Sequence, residues 1–179
     1  DHRDLHSFPT RRSSDLRTML RDLSFNLYAG EILGVAGVEG NGQTELVEVL
    51  TGLRAPAGGS AIVDEEIVTG KTPRDVRQAG VAPIPEDRLT NGLPLSSSID
   101  DNLIVDRFFK PPFKKGLIID QQVVENNGRE LIEKFGILTP SGELPVSSLS
   151  GGNMQKVVVA REFSSNPKIL IAADRKSVV

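Results

Sequence analysis

Residues Ile32–Leu53 read ILGVAGVEGNGQTELVEVLTGL: an apolar run, a glycine-rich turn and an amphipathic segment, in that order. The run Ile32–Ala36 (ILGVA) has the unbroken apolar character of a strand buried on both faces of a parallel sheet. Gly37-Val38-Glu39-Gly40-Asn41-Gly42-Gln43-Thr44 follows, and behind it Leu46, Val49, Leu50 and Leu53 fall on one helical face. Strand, glycine loop and helix in this order form the setting in which backbone N–H groups and a helix N-terminus gather a phosphate. The expected fold class is α/β with a P-loop NTPase core.

The general phosphate-loop pattern is G-x-x-x-x-G-K-[ST], in which the lysine reaches the terminal phosphates and the hydroxyl holds magnesium. Gly37, Gly42 and Thr44 occupy their places here, but Gln43 stands where the lysine belongs. An amide can donate a hydrogen bond and carries no charge, so its grip on phosphate is weaker than a charge-assisted one. The loop predicts nucleotide binding through Gly37, Glu39, Gly40, Asn41, Gly42, Gln43 and Thr44, with Thr44 a weak metal ligand and hydrolysis at this loop slow.

Working outward, Leu20–Leu27 alternates as a half-buried strand, so a small N-terminal β part precedes the core. Ser60–Val63 and Val81–Ile84 read as strands, and Pro73–Gln78 as a short helix with Pro in its first turn. A helix starts within Ser96–Leu103, and Asp106–Gly116 (DRFFKPPFKKG) is a Pro-broken connector. Asp120–Phe135 is a helix with Val124, Leu131, Ile132 and Phe135 inward. Leu144–Leu149 is a loop, and Ile169–Ala173 begins a buried strand at which the core sheet is cut short. A helical subdomain is expected over about residues 89–150.

A second motif lies about a hundred residues beyond the first. Leu149–Lys156 reads LSGGNMQK and opens a segment with Met154, Val157, Val158, Arg161 and Phe163 at helical spacing. Ser150 can cap that helix, Gly151 and Gly152 permit close backbone approach, and the dipole favours an anion.

Composition narrows the chemistry. The 179 residues suffice for a domain with a real core, and no apolar run approaches a membrane span. The absence of cysteine removes thiol chemistry, disulfides and Cys-based metal sites. A net charge of −3 argues against a nucleic-acid partner, which would favour a basic surplus. Asp1–Leu16 (DHRDLHSFPTRRSSDL) has no usable hydrophobic period and resembles the translation of a sequencing-library adapter, as does Asp174–Val179 (DRKSVV). The expected natural piece, residues 17–173, then carries about −4, because the head is balanced and the tail holds one surplus base. It also contains no histidine, since His2 and His6 both fall in the head, so imidazole bases and His metal sites drop out.

LSGGNMQK resembles the signature motif of ABC-type ATPases. Taken with GVEGNGQT and the segment Pro85-Glu86-Asp87-Arg88, it resembles the second nucleotide-binding domain of bacterial ABC importers for simple sugars and nucleosides, across nearly all of residues 17–173. The resemblance implies ATP and Mg2+ as cofactors. It implies that Leu149, Ser150, Gly151, Gly152, Asn153 and Gln155 complete an ATP site on the phosphate loop of a first nucleotide-binding domain in the same polypeptide. It also implies permease subunits contacted through a coupling loop at Glu86, an extracytoplasmic binding protein served indirectly, and a peripheral place on the cytoplasmic face of the inner membrane. The magnesium-binding acid expected after the last strand meets Ala172 and Ala173 here, and Asp174 belongs to the adapter-like tail, so no catalytic residue is assigned.

Two alternatives stand beside this: a soluble, non-transporter ABC ATPase, and a non-hydrolysing nucleotide-sensing module. The basic cluster Arg107, Lys110, Lys114 and Lys115, interleaved with Phe108, Phe109 and Phe113, reads as a solvated face with its aromatics packing a helical subdomain or meeting a permease.

Overall fold

A computed structural model describes residues 4–5, 10–11, 18–38, 40–85 and 92–173. The chain divides into two compact units, Asp1–Val81 and Ala82–Val179.

In the first unit β1 (Asp4–Leu5) pairs antiparallel with β4 (Phe25–Asn26), and β2 (Thr10–Arg11) with β3 (Thr18–Leu20). Two of these short strands, β1 and β2, lie in the head segment. The single strand expected over Leu20–Leu27 is instead broken in two. Asp22 takes a left-handed φ of 48°, which no continuous strand tolerates. Helix α1 (Gln43–Leu50) buries Leu46 and Val49, whereas Leu53 lies past the helix end and is exposed. β5 (Ile62–Val63) and β6 (Glu66–Ile67) make a hairpin whose turn residues Asp64 and Glu65 both have positive φ, the conformation a two-residue turn demands. Helix α2 (Pro73–Gln78) starts at Thr72, whose hydroxyl accepts from Asp75 N–H. Among the described residues the unit buries the apolar side chains Leu20, Leu46, Val49, Ala61, Val63, Val68, Val76, Ala79 and Val81.

The buried strand expected at Ile32–Ala36 is not formed. The segment has no regular structure and no ladder partners among the described residues, and Ile32 is 97 % exposed. Apolar residues make a buried strand only when other strands satisfy their N–H and C=O groups, and among the described residues none does so here.

In the second unit β7 (Val81–Ile84) lies beside β10 (Ile169–Ala172), and the Ala173 amide donates to the Ile84 carbonyl at 3.0 Å. β10 buries Ile169 and exposes Leu170, so it is half-covered rather than buried throughout as its sequence predicts. Helix α3 (Ile99–Ile104) is capped by Ser98. The hairpin of β8 (Lys114–Lys115) and β9 (Ile118–Ile119) leads into α4 (Gln121–Phe135), which opens on Asp120 and closes on Gly136 at φ +60°. A 3-10 turn at Val146–Ser148 precedes α5 (Gly151–Ser164). The three helices α3, α4 and α5 pack on one another around Ile99, Leu103, Leu131, Val146, Val157, Val158 and Ala160. The helical unit therefore includes the LSGGN helix and runs past residue 150. Among the described residues no helix is long and apolar enough to cross a membrane.

Candidate functional site

The glycine loop is exposed at Gly37, Val38, Gly40 and Asn41 and turns on an Asn41 N–H bond to the Val38 carbonyl of 3.1 Å. Gly40 and Gly42 hold φ of +87° and +97°, which only glycine adopts without strain. Gly42 is the N-cap of α1, and no side chain caps that end. An uncapped helix N-terminus behind a glycine backbone in the left-handed region fits a phosphate group. Gln43 turns back across the loop: its Nε2 donates to the Val35 carbonyl at 3.3 Å and would stand 3.1 Å from a Cβ at Gly37. A side chain at Gly37 would thus press on the Gln43 amide and shift it by a few tenths of an ångström. Thr44 is exposed at the first turn, and Glu39 lies outside the described residues.

The LSGGN segment is built with one set of residues inward and another outward. Leu149 and Met154 are each 9 % exposed and belong to the three-helix core. Ser150 caps α5, and its Oγ accepts from the Asn153 backbone N–H (3.4 Å) and from Asn153 Nδ2 (3.1 Å). Neither bond uses the hydroxyl proton. Asn153 Oδ1 in turn accepts from the Leu138 N–H at 3.0 Å, and Lys156 donates to the Gly136 carbonyl at the C-terminal end of α4, where a cation opposes the dipole. Ser150, Gly151 and Gly152 face solvent, Gln155 is half-buried, and a Cβ at Gly152 would meet nothing within 4 Å.

Three features that sequence reading missed support this motif. Arg161 and Glu162, 4 % and 0 % exposed, pair at 2.9 Å, and Arg161 also donates to the Gly92 carbonyl at 2.8 Å, tying α5 to the chain before α3. An arginine on the apolar face of the LSGGN helix was the available signal. Arg107 donates to the Leu103 and Arg161 carbonyls and to Ser164 Oγ, placing a cation at the end of α5. Asp100, buried in the first turn of α3, is wedged where side chains at Gly128 and Gly142 would begin: Cβ atoms there would fall 1.8 and 2.0 Å from its Oδ1. Among the described residues that oxygen has no hydrogen-bond partner. Burial first, then the negative charges of Asp101, Glu125 and Glu143, push its pKa up to about 6 against the pull of Arg129. An isolated glycine inside the α4 pattern was the only sequence hint. Glu86 lies outside the described residues.

The sequence profile of the ABC transporter family matches residues 20–174. This chain belongs to the ABC transporter family. It is 40 % identical over 154 residues to a nucleoside import ATP-binding protein of Lactococcus lactis subsp. cremoris, covering 86 % of this chain and 30 % of that protein. It is 38 % identical over 154 residues to a guanosine import ATP-binding protein of Bacillus subtilis, again 86 % of this chain and 30 % of the relative. The chain thus spans about 30 % of the length of these curated relatives. The fold matches an ATP-binding cassette of an ABC transporter in its ADP conformation with TM-score 0.73 at 20 % identity, over 95 % of this chain and 67 % of that one. A nucleotide-free ABC transporter cassette matches with TM-score 0.72 at 21 % identity, over 96 % and 67 %. The expected P-loop α/β class is therefore the observed one: the ABC transporter cassette fold.

Proposed function

We propose that this chain is the second nucleotide-binding domain of an ABC importer ATP-binding protein for nucleosides or simple sugars, and that it serves ATP held on a partner domain. The observation that carries this reading is the outward-facing trio Ser150, Gly151 and Gly152, held by Asn153 and Lys156 from behind with open space around Gly152. A helix glycine with nothing near it has no packing reason inside the chain, so its value lies in what approaches from outside.

In this reading the trio contacts the terminal phosphate of ATP bound to the first nucleotide-binding domain of the same polypeptide. The chain's own loop from Gly37 to Thr44, lacking a cation at Gln43, forms a weak or regulatory site. Among the described residues no three carboxylate or imidazole groups converge as a metal site, so Mg2+ here would lean on Thr44 and the phosphates. Glu86 is the residue proposed to meet the permease, which would place the protein on the cytoplasmic face of the inner membrane and serve an extracytoplasmic binding protein indirectly. What favours an importer over a free-standing soluble ATPase is that relatives at 40 % and 38 % identity are named import proteins. Residues 1–16 and 174–179 are proposed to be foreign to the natural polypeptide; sequencing the gene from genomic DNA checks this.

The test is ATPase activity and uptake by the full-length transporter carrying Ser150→Ala or Gly151→Ala. Loss of about a hundred-fold is expected, the scale of removing one preorganised donor from a charged transition state. Unchanged hydrolysis and uptake in both variants would overturn the reading.

A further inference from the structure

The connector between α3 and α4 has two sides. On the inner side Phe113 is buried with Ile104 and Val124, and the Arg107 guanidinium lies 5.7 Å from its ring centroid while bonding the end of α5. The outer side is unlike an ordinary loop. Leu117 is 94 % exposed and Ile118 75 % exposed at the tip of the β8–β9 hairpin; Ile119 next to them and Phe108 earlier in the connector are also exposed. Single exposed apolar residues are normal on soluble proteins, but a run of three at a hairpin tip is a patch. Gly116, at φ +63°, makes the turn that presents it.

The surrounding charge selects what would cover that patch. Between Asp106 and Ile119 stand Arg107, Lys110, Lys114 and Lys115 against the one acid Asp106, in a chain whose net charge is −3. Arg107 is turned inward and Lys115 is paired with Asp120 at 2.6 Å, leaving Lys110 and Lys114 as the cations beside the tip. Lys110 lies 5.6 Å from the centroid of the Phe109 ring, which itself stacks edge-on with Phe108. Aliphatic tip residues cannot stack on bases, so this is not a single-stranded nucleic-acid platform. A protruding aliphatic tip flanked by lysines matches an interface where acyl chains lie beneath anionic headgroups.

We propose that the β8–β9 hairpin seats on an anionic lipid surface, with Leu117 and Ile118 entering the headgroup–acyl boundary and Lys110 and Lys114 facing lipid phosphates. The proposal does not depend on how ATP is shared between domains. It is tested with the full-length protein, purified without permease, in co-sedimentation with phosphatidylglycerol-rich vesicles and with pure phosphatidylcholine vesicles. Binding to the anionic vesicles that falls with added salt is expected. Leu117→Ser/Ile118→Ser should weaken it about ten-fold or more, and Lys110→Gln or Lys114→Gln about five-fold each. Nucleotide binding and the melting temperature, read in parallel, should not move, since the tip side chains touch no core. Equal binding to both vesicle types, absence of vesicle binding, or equal binding by parent and Leu117→Ser/Ile118→Ser overturns the proposal. Loss of permease co-purification in the double variant without any lipid effect would do the same, and would assign the tip to a protein.

Discussion

Replacing a glycine in the middle of a helix by alanine ordinarily stabilises a protein by roughly 0.5–1 kcal/mol, because the unfolded chain loses freedom and the helix gains propensity. Gly128, within α4, should do the opposite. A Cβ there would sit 1.8 Å from Asp100 Oδ1, an oxygen that also fills the place of a side chain at Gly142, 2.0 Å from where a Cβ would stand. Overpacking of this kind costs about 1–3 kcal/mol. Shortening Asp100 to alanine removes the carboxyl and leaves its Cβ 3.4 Å away, an ordinary contact. Gly128→Ala is therefore expected to destabilise by about 1–3 kcal/mol alone and to stabilise by up to about 1 kcal/mol in an Asp100→Ala background. The coupling energy would then be about 1–4 kcal/mol, at or above the usual range for residues in contact. Urea denaturation of the four proteins, followed by circular dichroism, measures it. Equal destabilisation by Gly128→Ala in both backgrounds would refute the wedge.

Asp100 should also make stability depend on pH. Its folded pKa of about 6 lies above the ordinary 3.8, so the ionised form costs the fold: the cost is complete above pH 6 and fades as the pH falls towards 4. Asp100→Asn is expected to raise stability by about 1–3 kcal/mol at pH 7.5, with the gain shrinking towards zero near pH 4, as read by denaturation across that range. Gly152→Ala should leave the fold as stable or more so, by up to about 1 kcal/mol in thermal or urea melts, because its Cβ enters open space. The same variant should lower ATPase activity of the full-length transporter roughly 10–100-fold, and undiminished activity would contradict an approaching ligand. Gln43→Lys supplies the missing cation, so nucleotide affinity at this loop should rise about ten-fold in equilibrium binding with the partner domain's loop disabled.

The elements legible in the sequence are those whose ends are chemically marked. Helix α2 begins where Pro73 predicts, α4 runs between Asp120 and Gly136, and α5 starts on Ser150. Each is a local device, complete within a few residues. The failures are non-local. ILGVA at Ile32–Ala36 has the composition of a buried strand, but a strand exists only through partners, and composition does not supply them. The break at Asp22 is a single left-handed residue with no glycine to announce it. Both motifs were legible as letters, whereas the exposure of Ser150, Gly151 and Gly152 comes from the structure. The wedge of Asp100 between positions 128 and 142, and the tie from Arg161 to Gly92, join residues far apart in the chain, and no periodicity reports them.

The arrangement around Ser150 separates two kinds of pressure on a single octapeptide. Leu149, Asn153, Met154 and Lys156 answer to the chain's own helices: their replacement should be felt in a melting curve whatever the protein binds. Gly151 and Gly152 are exposed, and on the proposed reading they would answer to something outside the chain. A descendant that lost its partner would be free to drift at those two positions while still keeping the four that hold its helices together. The spelling of this short stretch in a chain of unknown standing would then distinguish a cassette still in use from one that merely folds.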